Sequence, residues 1–487
     1  MTIAGSLANA LSGLTVQARS AELVSSNVAN ANTPGYGRRE LDLMPKYMGD
    51  GASAGVNASG VRREVDMTIV QDRRLADAAV GNQTALAGFQ SDLEAILGTP
   101  DDPGSLSGRL FQFESSLIEA TSRPDSEARL SSVRDAAVNL ADHLNTASGK
   151  VQDLRMNADA EIETQVRTLN EGLTRVQNLN YDIKESLARG QDPSPLMDLR
   201  QQAVDEISGI VPMRQVDRGH GMVALFTTGG AIVLDGRAAK MGFSKVGVIV
   251  PEMTLASGAL SGLTINDNPV RTEGERSPIQ GGSLAALFEV RDELATSAQS
   301  RLDAVARDLV ERFQDPGLDS TRPPPDTPGL FTDTGAFFEA ADEIALATRI
   351  KVNALIDPKQ GGALWHLRDG LGAATPGDVG NSQLLQDMID ALSTERVPAS
   401  GDFMGVARSA SGLAADFLSI VSADRNAAEN RQSYAVAKQD SLTVMELENG
   451  VDTDHELQKL MLIEQAYSAN AKVMTTVGDM LDTLMRL

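Results

Sequence analysis

The chain has 487 residues, 41% of them apolar, which is enough for two to four domains with hydrophobic cores of their own. Its 67 acidic and 43 basic residues give a formal net charge of -24, which disfavours binding to nucleic acid or to an anionic membrane surface. Cysteine is absent, so disulfides, thiolate metal sites and cysteine nucleophiles are excluded. Only 4% of the residues are aromatic, which argues against an aromatic-lined ligand cleft.

An apolar stripe near the N-terminus predicts an amphipathic helix. Its members recur at three- and four-residue steps, which places them on one face. A Pro-Gly pair then predicts a helix stop, because proline disfavours the helical conformation of the residue before it and glycine permits positive φ. The stripe consists of Ile3, Leu7, Leu11, Leu14, Ala18, Ala21 and Val28, and the stop consists of Asn30, Ala31, Asn32, Thr33, Pro34, Gly35, Tyr36 and Gly37.

The longest periodic segment runs from about residue 124 to residue 188. Its apolar residues keep a seven-residue repeat as far as Ala158, where four extra residues reset the phase at Ile162. A continuous helix of this length would measure on the order of 90 Å, so we expect an elongated molecule. Gly149 and Gly172 mark points where the helix is expected to bend or to break into two.

Three other segments have a different texture. A Gly-rich, partly alternating stretch from about Met48 to Val70 predicts short strands or extended chain. Short β-branched runs separated by glycine turns from about residue 210 to residue 269 predict a small β domain inserted between helices. Helical periodicity resumes at Leu284, and a proline cluster at Pro323 to Pro325 opens a mixed segment that ends near residue 400.

A second apolar stripe follows the Asn449-Gly450 break and keeps a 3,4 alternation almost to the last residue, which is a coiled-coil period. Asp452 or Asp454 is placed to cap this helix, with Glu456 in its first turn. Neither terminal stripe can be buried within its own segment, so we expect both helices to order only against each other or against neighbouring molecules. The second stripe comprises Leu460, Ile463, Tyr467, Met474, Val477, Leu481 and Leu484, and Asn470 interrupts it.

These patterns predict a mainly α fold. We expect an elongated antiparallel helical bundle or coiled-coil rod formed by the N- and C-terminal segments, with an inserted small β domain and a mixed insert. The ends of the chain would meet in space, and both inserts would project from the far end of the rod. The expected domains are an N-terminal assembly helix 1–45 that pairs with the C-terminus, the N-terminal part of the rod 46–207, the β domain 208–280, a rod helix 281–315, the mixed insert 316–400, the C-terminal part of the rod 401–448 and a C-terminal assembly helix 449–487.

No catalytic or metal-binding constellation stands out in the sequence. Four histidines are scattered without the spacing of a metal site, and no nucleophile elbow, Walker loop or strand-flanked dinucleotide motif occurs. The carboxylates are dispersed over helix faces, where a solvated surface is their usual role. We therefore expect no enzymatic activity, no cofactor and no metal.

The two ends also resemble a known class of proteins. The run from Asn27 to Tyr36 resembles the N-terminal signature of bacterial flagellar axial proteins, which include rod, hook and hook-associated proteins. The stretch from Asn449 to Leu484 resembles the C-terminus of one family in that class, the proteins of the hook–filament junction. Two internal stretches, Leu199 to Gln202 and Arg291 to Leu294, are similar to that family's domain boundaries.

The resemblance implies a structural protein of the bacterial flagellum that polymerises through its terminal helices as an annular layer between hook and filament. It implies as partners further copies of the chain, the hook protein, hook-associated protein 3 and a flagellar export chaperone, with no nucleic acid and no membrane. It also implies type III export and an extracellular location in the flagellum. The assembly interface would then comprise Leu7, Leu11, Leu14, Val28, Asn30, Asn32, Pro34, Gly35, Tyr36, Leu457, Leu460, Ile463, Tyr467, Met474, Val477, Leu481 and Leu484.

Two alternatives remain open on the sequence. One is another axial protein, such as hook protein or flagellin, although the long segments after residue 95 and the pattern from Leu457 to Leu487 argue against it. The other is a secreted acidic adhesin or enzyme whose β insert carries a binding site. Failure of the purified protein to cap or extend hook fragments would favour this second alternative.

Overall fold

In the computed structural model the described part of the chain is built from long helices and four small antiparallel sheets, which confirms a mainly α fold with a small β insert. The structure describes residues 3–47, 53–274, 276–323, 325–403 and 405–486. Within these ranges, no helix combines the length and the apolar character needed to cross a membrane. The helices are α1 (Ile3–Ala29), α2 (Met67–Leu97), α3 (Leu106–Ser122), α4 (Glu127–Ala188), α5 (Ser194–Ser208), α6 (Ser283–Glu289), α7 (Ala295–Gln314), α8 (Leu346–Arg349), α9 (His366–Asp369), α10 (Gln383–Ser393), α11 (Ala410–Glu448) and α12 (Thr453–Met485).

The sheets lie in three regions of the chain. Strands β1 and β2 form a hairpin, β3 to β6 form a four-stranded sheet in chain order, β7 to β9 form a three-stranded sheet, and β10 pairs with β11. The strands are β1 (Arg38–Tyr47), β2 (Ser53–Glu64), β3 (Met213–Gly219), β4 (Met222–Thr227), β5 (Ile232–Asp235), β6 (Arg237–Ala238), β7 (Met241–Gly242), β8 (Leu263–Ile265), β9 (Asn268–Val270), β10 (Phe331–Asp333) and β11 (Ile350–Val352).

The two ends of the chain form one unit, which we call the terminal module: α1, α12 and the β1–β2 hairpin. Helix α1 packs along α12, and a Cβ at Gly13 would lie only 2.8 Å from Nδ2 of Asn470, so the small residue permits the close approach. The hairpin lies against α1, where the backbone N–H of Val56 donates to Oγ of Ser12 at 3.2 Å.

The hairpin differs from the sequence expectation. Strands were expected from about Met48 to Val70, whereas β1 begins at Arg38 and α2 already begins at Met67. The reason is local: Gly35 has a φ of 76°, which turns the chain directly after α1, and Asp66 caps α2. The expected domain boundary at residue 45 therefore falls inside β1. Residues 48–52, in the same expected stretch, lie outside the described residues.

The helical bundle consists mainly of α2, α4, α7 and α11, which alternate in direction. Helix α2 is antiparallel to α11, since Arg73 near the start of α2 pairs with Glu446, while Glu94 near its end accepts from Oγ of Ser422 at 2.7 Å. Helix α4 is antiparallel to α7, where Oγ of Ser148 donates to Oε1 of Gln299 at 2.8 Å.

Two separate hydrophobic cores run along α4. The first includes apolar residues of α4 up to Ala158 and packs them against α3, α7 and the start of α11. The second begins with Ile162 and packs the rest of α4 against α5, α6 and the β insert. The phase reset in the apolar repeat therefore marks the point where α4 changes neighbours.

Helix α4 is continuous, so neither glycine breaks it. A Cβ at Gly172 would lie 2.3 Å from Cγ2 of Ile207, and glycine thus lets α5 pack closely on α4. A Cβ at Gly149 would meet nothing within 4 Å. An interior glycine costs a helix about 1 kcal/mol, which the tertiary contacts along 62 residues outweigh.

The two inserts lie at opposite ends of the bundle, not both at the far end as expected. The β insert lies beside the terminal module, where Nη1 of Arg74 in α2 donates to Oε1 of Gln215 at 3.0 Å. The mixed insert lies at the far end, where the ring of Phe331 stacks edge-on with Phe113 and Phe313. Helix α4 explains the difference. Its 62 residues carry the chain about 90 Å from the far end of the bundle back towards the terminal module before the β insert begins.

A buried ion pair separates the two cores. Nη1 of Arg291 lies 2.7 Å from Oδ1 of Asp159, and both side chains are 0% exposed. Arg291 belongs to the π-helical turn Val290–Leu294 between α6 and α7, and Nε of Arg155 donates to its carbonyl at 3.0 Å. The π turn and the phase reset of α4 thus face each other across one polar layer.

We predict that Asp159→Ala lowers the free energy of unfolding by about 3 kcal/mol, because it removes a buried partner of the Arg291 guanidinium. Urea unfolding monitored by circular dichroism measures the change. Glu206→Ala is the matched control, since it removes the exposed pair with Arg175 and should cost less than about 1 kcal/mol. Equal effects of the two substitutions would contradict a structural role for the polar layer.

We predict that His143 makes the fold sensitive to mild acid. Burial and then the charge of Arg109 lower the pKa of His143 to about 4, whereas an unfolded histidine titrates near 6.5. Stability is therefore lost as the pH falls from about 6.5 towards 4, since only the unfolded chain gains the proton. Between pH 7 and pH 5, His143→Gln should remove on the order of 1–2 kcal/mol of the wild-type loss in urea unfolding. His220→Gln, at an exposed turn, should follow the wild type.

Candidate assembly surface

A buried asparagine fixes the base of the terminal module. Nδ2 of Asn27 donates to Oε2 of Glu456 at 3.0 Å and to the carbonyl of Arg39 at 2.9 Å. Its Oδ1 accepts from the backbone N–H of Arg39 at 3.0 Å and from the hydroxyl of Tyr36 at 2.9 Å. All four hydrogen-bonding positions of this fully buried amide are filled, so sliding α1 along α12 would leave buried polar groups unpaired.

An aspartate of α5 ties the terminal module to the bundle. Oδ1 of Asp198 accepts from the backbone N–H of Gly37 at 3.0 Å and from Nε of Arg63 at 2.7 Å. Its Oδ2 accepts from Nη2 of Arg39 at 2.7 Å. We call this group the Asp198 clasp. Because charge-assisted hydrogen bonds are directional and strong, the clasp sets the direction in which the module leaves the bundle.

The loop after α1 rests on the same helix. Nε2 of Gln202 donates to the carbonyl of Pro34 at 2.7 Å. A Cβ at Gly35 would lie 2.8 Å from Cγ of Gln202, and the positive φ of Gly35 also favours glycine. Two stretches that carried the family resemblance, Asn27 to Tyr36 and Leu199 to Gln202, are thus in direct contact.

An arginine of α2 joins α11 to the same corner of the bundle. Arg73 pairs with Glu446 near the end of α11, with Asp205 of α5 at 2.8 Å and with Asp77 at 2.5 Å. Burial alone would lower the pKa of Arg73, but the charges of Asp205, Glu446 and Asp77 raise it above its ordinary value. These ion pairs thus fix the end of α11, which directly precedes α12.

The predicted interface residues of α1 are only partly covered. Leu11 is 56% exposed, whereas Leu7, Leu14 and Val28 are half-buried. The face of α1 that is buried within the terminal module is a different one. It consists of Ala10, Val16, Val24 and Asn27.

The loop residues predicted for the interface are also partly exposed and partly covered. Asn32 and Pro34 are exposed, while Asn30, Gly35 and Tyr36 are half-buried against the base of the module. The hydrogen bonds of Asn30 and Tyr36 run to α1, and the carbonyl of Gly35 accepts from Arg63, so these three residues shape the base rather than offer free donors.

The predicted stripe of α12 packs mainly against α1 of the same chain. Ile463 and Val477 are buried, and Leu460 and Met474 are half-buried on the same face, towards α1. The remaining predicted residues of α12 are exposed, namely Leu457, Tyr467, Leu481 and Leu484.

Helix α12 carries a further exposed apolar stripe, which we call the outer stripe, and of its residues only Leu484 was predicted for the interface from the sequence. Leu462 is 65% exposed although its neighbour Ile463 is buried. The residues of the outer stripe recur at seven- and four-residue steps, so the periodic signal was present but merged with that of the buried stripe. The outer stripe comprises Leu462, Ala469, Val473, Met480 and Leu484.

Two polar residues of the base were also missed as site residues. Asp198 lies in an unremarkable helical segment, and its partner Arg63 lies 135 positions away. No local pattern signals a contact over such a distance. Asn27 carried a signal, because it belongs to the run that resembles the axial-protein signature.

Models of three flagellar families match this chain. The flagellar hook-associated protein FlgK helical domain matches residues 90–318. The flagellar basal body rod FlgEFG protein C-terminal model matches residues 448–487, and the flagella basal body rod protein model matches residues 7–36. The two end matches coincide with α12 and with α1 and its loop.

Curated relatives carry one name. The flagellar hook-associated protein 1 of Bacillus subtilis (strain 168) is 25% identical over 98% of this chain and 97% of its own length. The protein of that name from Salmonella typhimurium (strain LT2) is 27% identical over 63% of this chain, which spans about 55% of that relative. A solved structure, the flagellar hook junction protein FlgK of Burkholderia pseudomallei, is 18% identical with a TM-score of 0.44, covering 54% of this chain and 46% of its own.

The alignment along nearly the whole chain and the match to the helical-domain model favour a hook-associated protein over hook protein or flagellin. The chain is thus similar to flagellar hook-associated protein 1 along nearly its whole length, and it is a structural component of the bacterial flagellum at the junction of hook and filament.

Proposed function

We propose that this chain forms an annular layer between hook and filament in which the terminal modules of neighbouring copies pack side by side. One observation carries the proposal: large apolar side chains line the outer stripe of α12 on a module that is held firmly at its base. Exposed apolar surface of this kind marks a protein interaction site. A layer of parallel modules would bury it.

The clasp has a role in this proposal. Packing of several copies requires each terminal module to leave its bundle in the same direction, because a heterologous contact repeats only if its geometry repeats. Asp198 and Asn27 supply that uniform direction through buried, directional hydrogen bonds. The bundle and its inserts then lie outside the packed modules.

The family assignment implies interaction with other flagellar axial proteins. We propose the hook protein as the neighbour on one side of the layer and hook-associated protein 3 as the neighbour on the other. We also propose that an export chaperone covers the C-terminal part before assembly, since the outer stripe of α12 has no partner within the described chain. Type III export to the extracellular appendage completes the proposed route.

We propose no catalytic role. Among the described residues, no group of three or more histidine, aspartate or glutamate side chains is arranged to hold a metal ion. A cavity of about 650 Å³ beside the β insert is lined by several carboxylates. Burial and then the charge of Glu293 raise the pKa of Glu289 there, which is the behaviour of crowded acids and requires no reaction. The family itself is structural.

We predict that Val473→Asp blocks assembly but leaves the bundle folded. Val473 belongs to the outer stripe and is 44% exposed in the single chain, so the substitution costs little there, whereas a charge in a packed seam is costly. Thermal unfolding of the purified chain should be unchanged, and swarming should be lost. The matched control is Leu187→Asp on α4, where the leucine is 41% exposed, and it should preserve swarming. Normal swarming of Val473→Asp would place the seam elsewhere.

We predict that Asp198→Asn weakens the clasp. The amide is similar in shape but lacks the charge that Arg39 and Arg63 require, so stability should fall by about 2 kcal/mol in urea unfolding. Swarming should decrease as well, because the module would lose its fixed direction. Asp182→Asn, at an exposed position of α4, is the control and should change stability by less than about 0.5 kcal/mol. An unchanged stability of Asp198→Asn would refute the clasp.

A further inference from the structure

The two exposed faces of the terminal module differ in the size of their side chains. The outward face of α1 repeats every seven residues and consists mostly of small residues, whereas the outer stripe of α12 consists mostly of large ones. Both faces are exposed in the single chain. We call the first the outer face of α1, and it comprises Ala4, Leu11, Thr15, Ala18, Glu22, Ser25 and Ala29, of which Glu22 is the one charged member.

We propose that the outer stripe of α12 in one copy packs against the outer face of α1 in the next copy. This inference rests on the proposed function and specifies which faces meet. Large side chains packing between small ones produce the interlocking seen between paired helices. Two outer stripes placed against each other would instead oppose large side chains to large ones.

The symmetry of the contact supports this pairing. A contact between two different faces is heterologous, so each copy keeps one free face of each kind and a further copy can be added. Such contacts generate rings and helical arrays. A contact between two outer stripes would be isologous and would close after two copies. Only the heterologous contact is compatible with an annular layer.

A groove continues the outer stripe onto α1. Met480 and Leu484 line it together with Ile3 of α1, Asp479 and two threonines, and its volume is about 440 Å³. A neighbouring helix on the outer stripe would cover this groove too, so its docking would bury more apolar surface than the stripe alone offers.

The charge of the terminal module permits close packing of copies. The ranges 3–47, 53–64 and 450–486 contain nine lysines and arginines and ten aspartates and glutamates, in a chain whose net charge is -24. The acidic excess thus lies almost entirely in the bundle and the inserts. Repulsion between copies is therefore weak where their helices would meet.

Disulfide cross-linking tests the pairing, since the natural chain has no cysteine. One variant carries Ala18→Cys, and a series carries Leu462→Cys, Ala469→Cys, Val473→Cys or Met480→Cys singly, to allow for the unknown offset between copies. Each pair, with tags of different size, is produced in the same cells, which are scored for swarming, oxidised and analysed by immunoblot. A disulfide forms only where Cα atoms come within about 4.4–6.8 Å.

We expect a cross-linked heterodimer for at least one member of the series and no homodimer of any single variant. Glu464→Cys, exposed on another side of α12, should give no product with Ala18→Cys. Homodimers of the series would overturn the inference in favour of an isologous contact. Swarming cells without any cross-link would also overturn it, while leaving the proposed function intact. Cells whose wild-type protein is absent from the hook–filament junction would instead refute the proposed function.

A second variant tests the same face without cysteine. Ala18→Leu fills a proposed recess on an exposed position, so the thermal unfolding of the single chain should be unchanged while swarming is lost. Ala188→Leu, at an exposed position at the end of α4, is the control and should swarm normally. Normal swarming of Ala18→Leu would contradict a tight contact at this face.

Discussion

Each terminal helix carries more apolar surface than the other can cover, and the organisation of the terminal module follows from this excess. A helix buries one stripe in a two-helix contact, whereas α12 is apolar on two sides. Ile463 and Val477 face α1, which leaves Leu462 and Met480 exposed. Burial of such side chains is favourable by about 1.5–3 kcal/mol each. Association of copies therefore gains this free energy of burial, which the single chain cannot gain.

Polar contacts determine where this apolar surface points. Apolar contacts alone tolerate sliding and rotation, because the hydrophobic effect has no direction. The hydrogen bonds of Asn27 and Asp198, in contrast, are directional. Each of these two side chains binds groups from separate elements, and these hydrogen bonds would break if the module shifted. The unpaired buried groups would cost about 1–3 kcal/mol apiece. The base of the module therefore sets the register of α1 on α12 and the direction of both.

The bundle meets a different constraint, which is its length. A strict seven-residue repeat cannot keep one face of a long straight helix towards the same neighbours. The reset at Ile162, the π turn Val290–Leu294 and the buried pair of Asp159 and Arg291 occur at one level, where the first core ends and the second begins. Helix α4 can thus pack against the mixed insert at one end and against the β insert at the other.

Periodicity and cap chemistry by themselves determined that α1, α4 and α12 are helices, and Asp452, one of two candidates, does accept from the first backbone N–H groups of α12. They did not determine that Gly172 allows α5 to pack closely on α4, nor that the β insert lies beside the terminal module. Both features depend on contacts between segments that are distant in the sequence. The same holds for the assembly surface. Leu462 and Ile463 are adjacent and equally apolar, and only the rotation of α12 about its axis, held by the hydrogen bond of Glu456 to α1, decides which of them is buried.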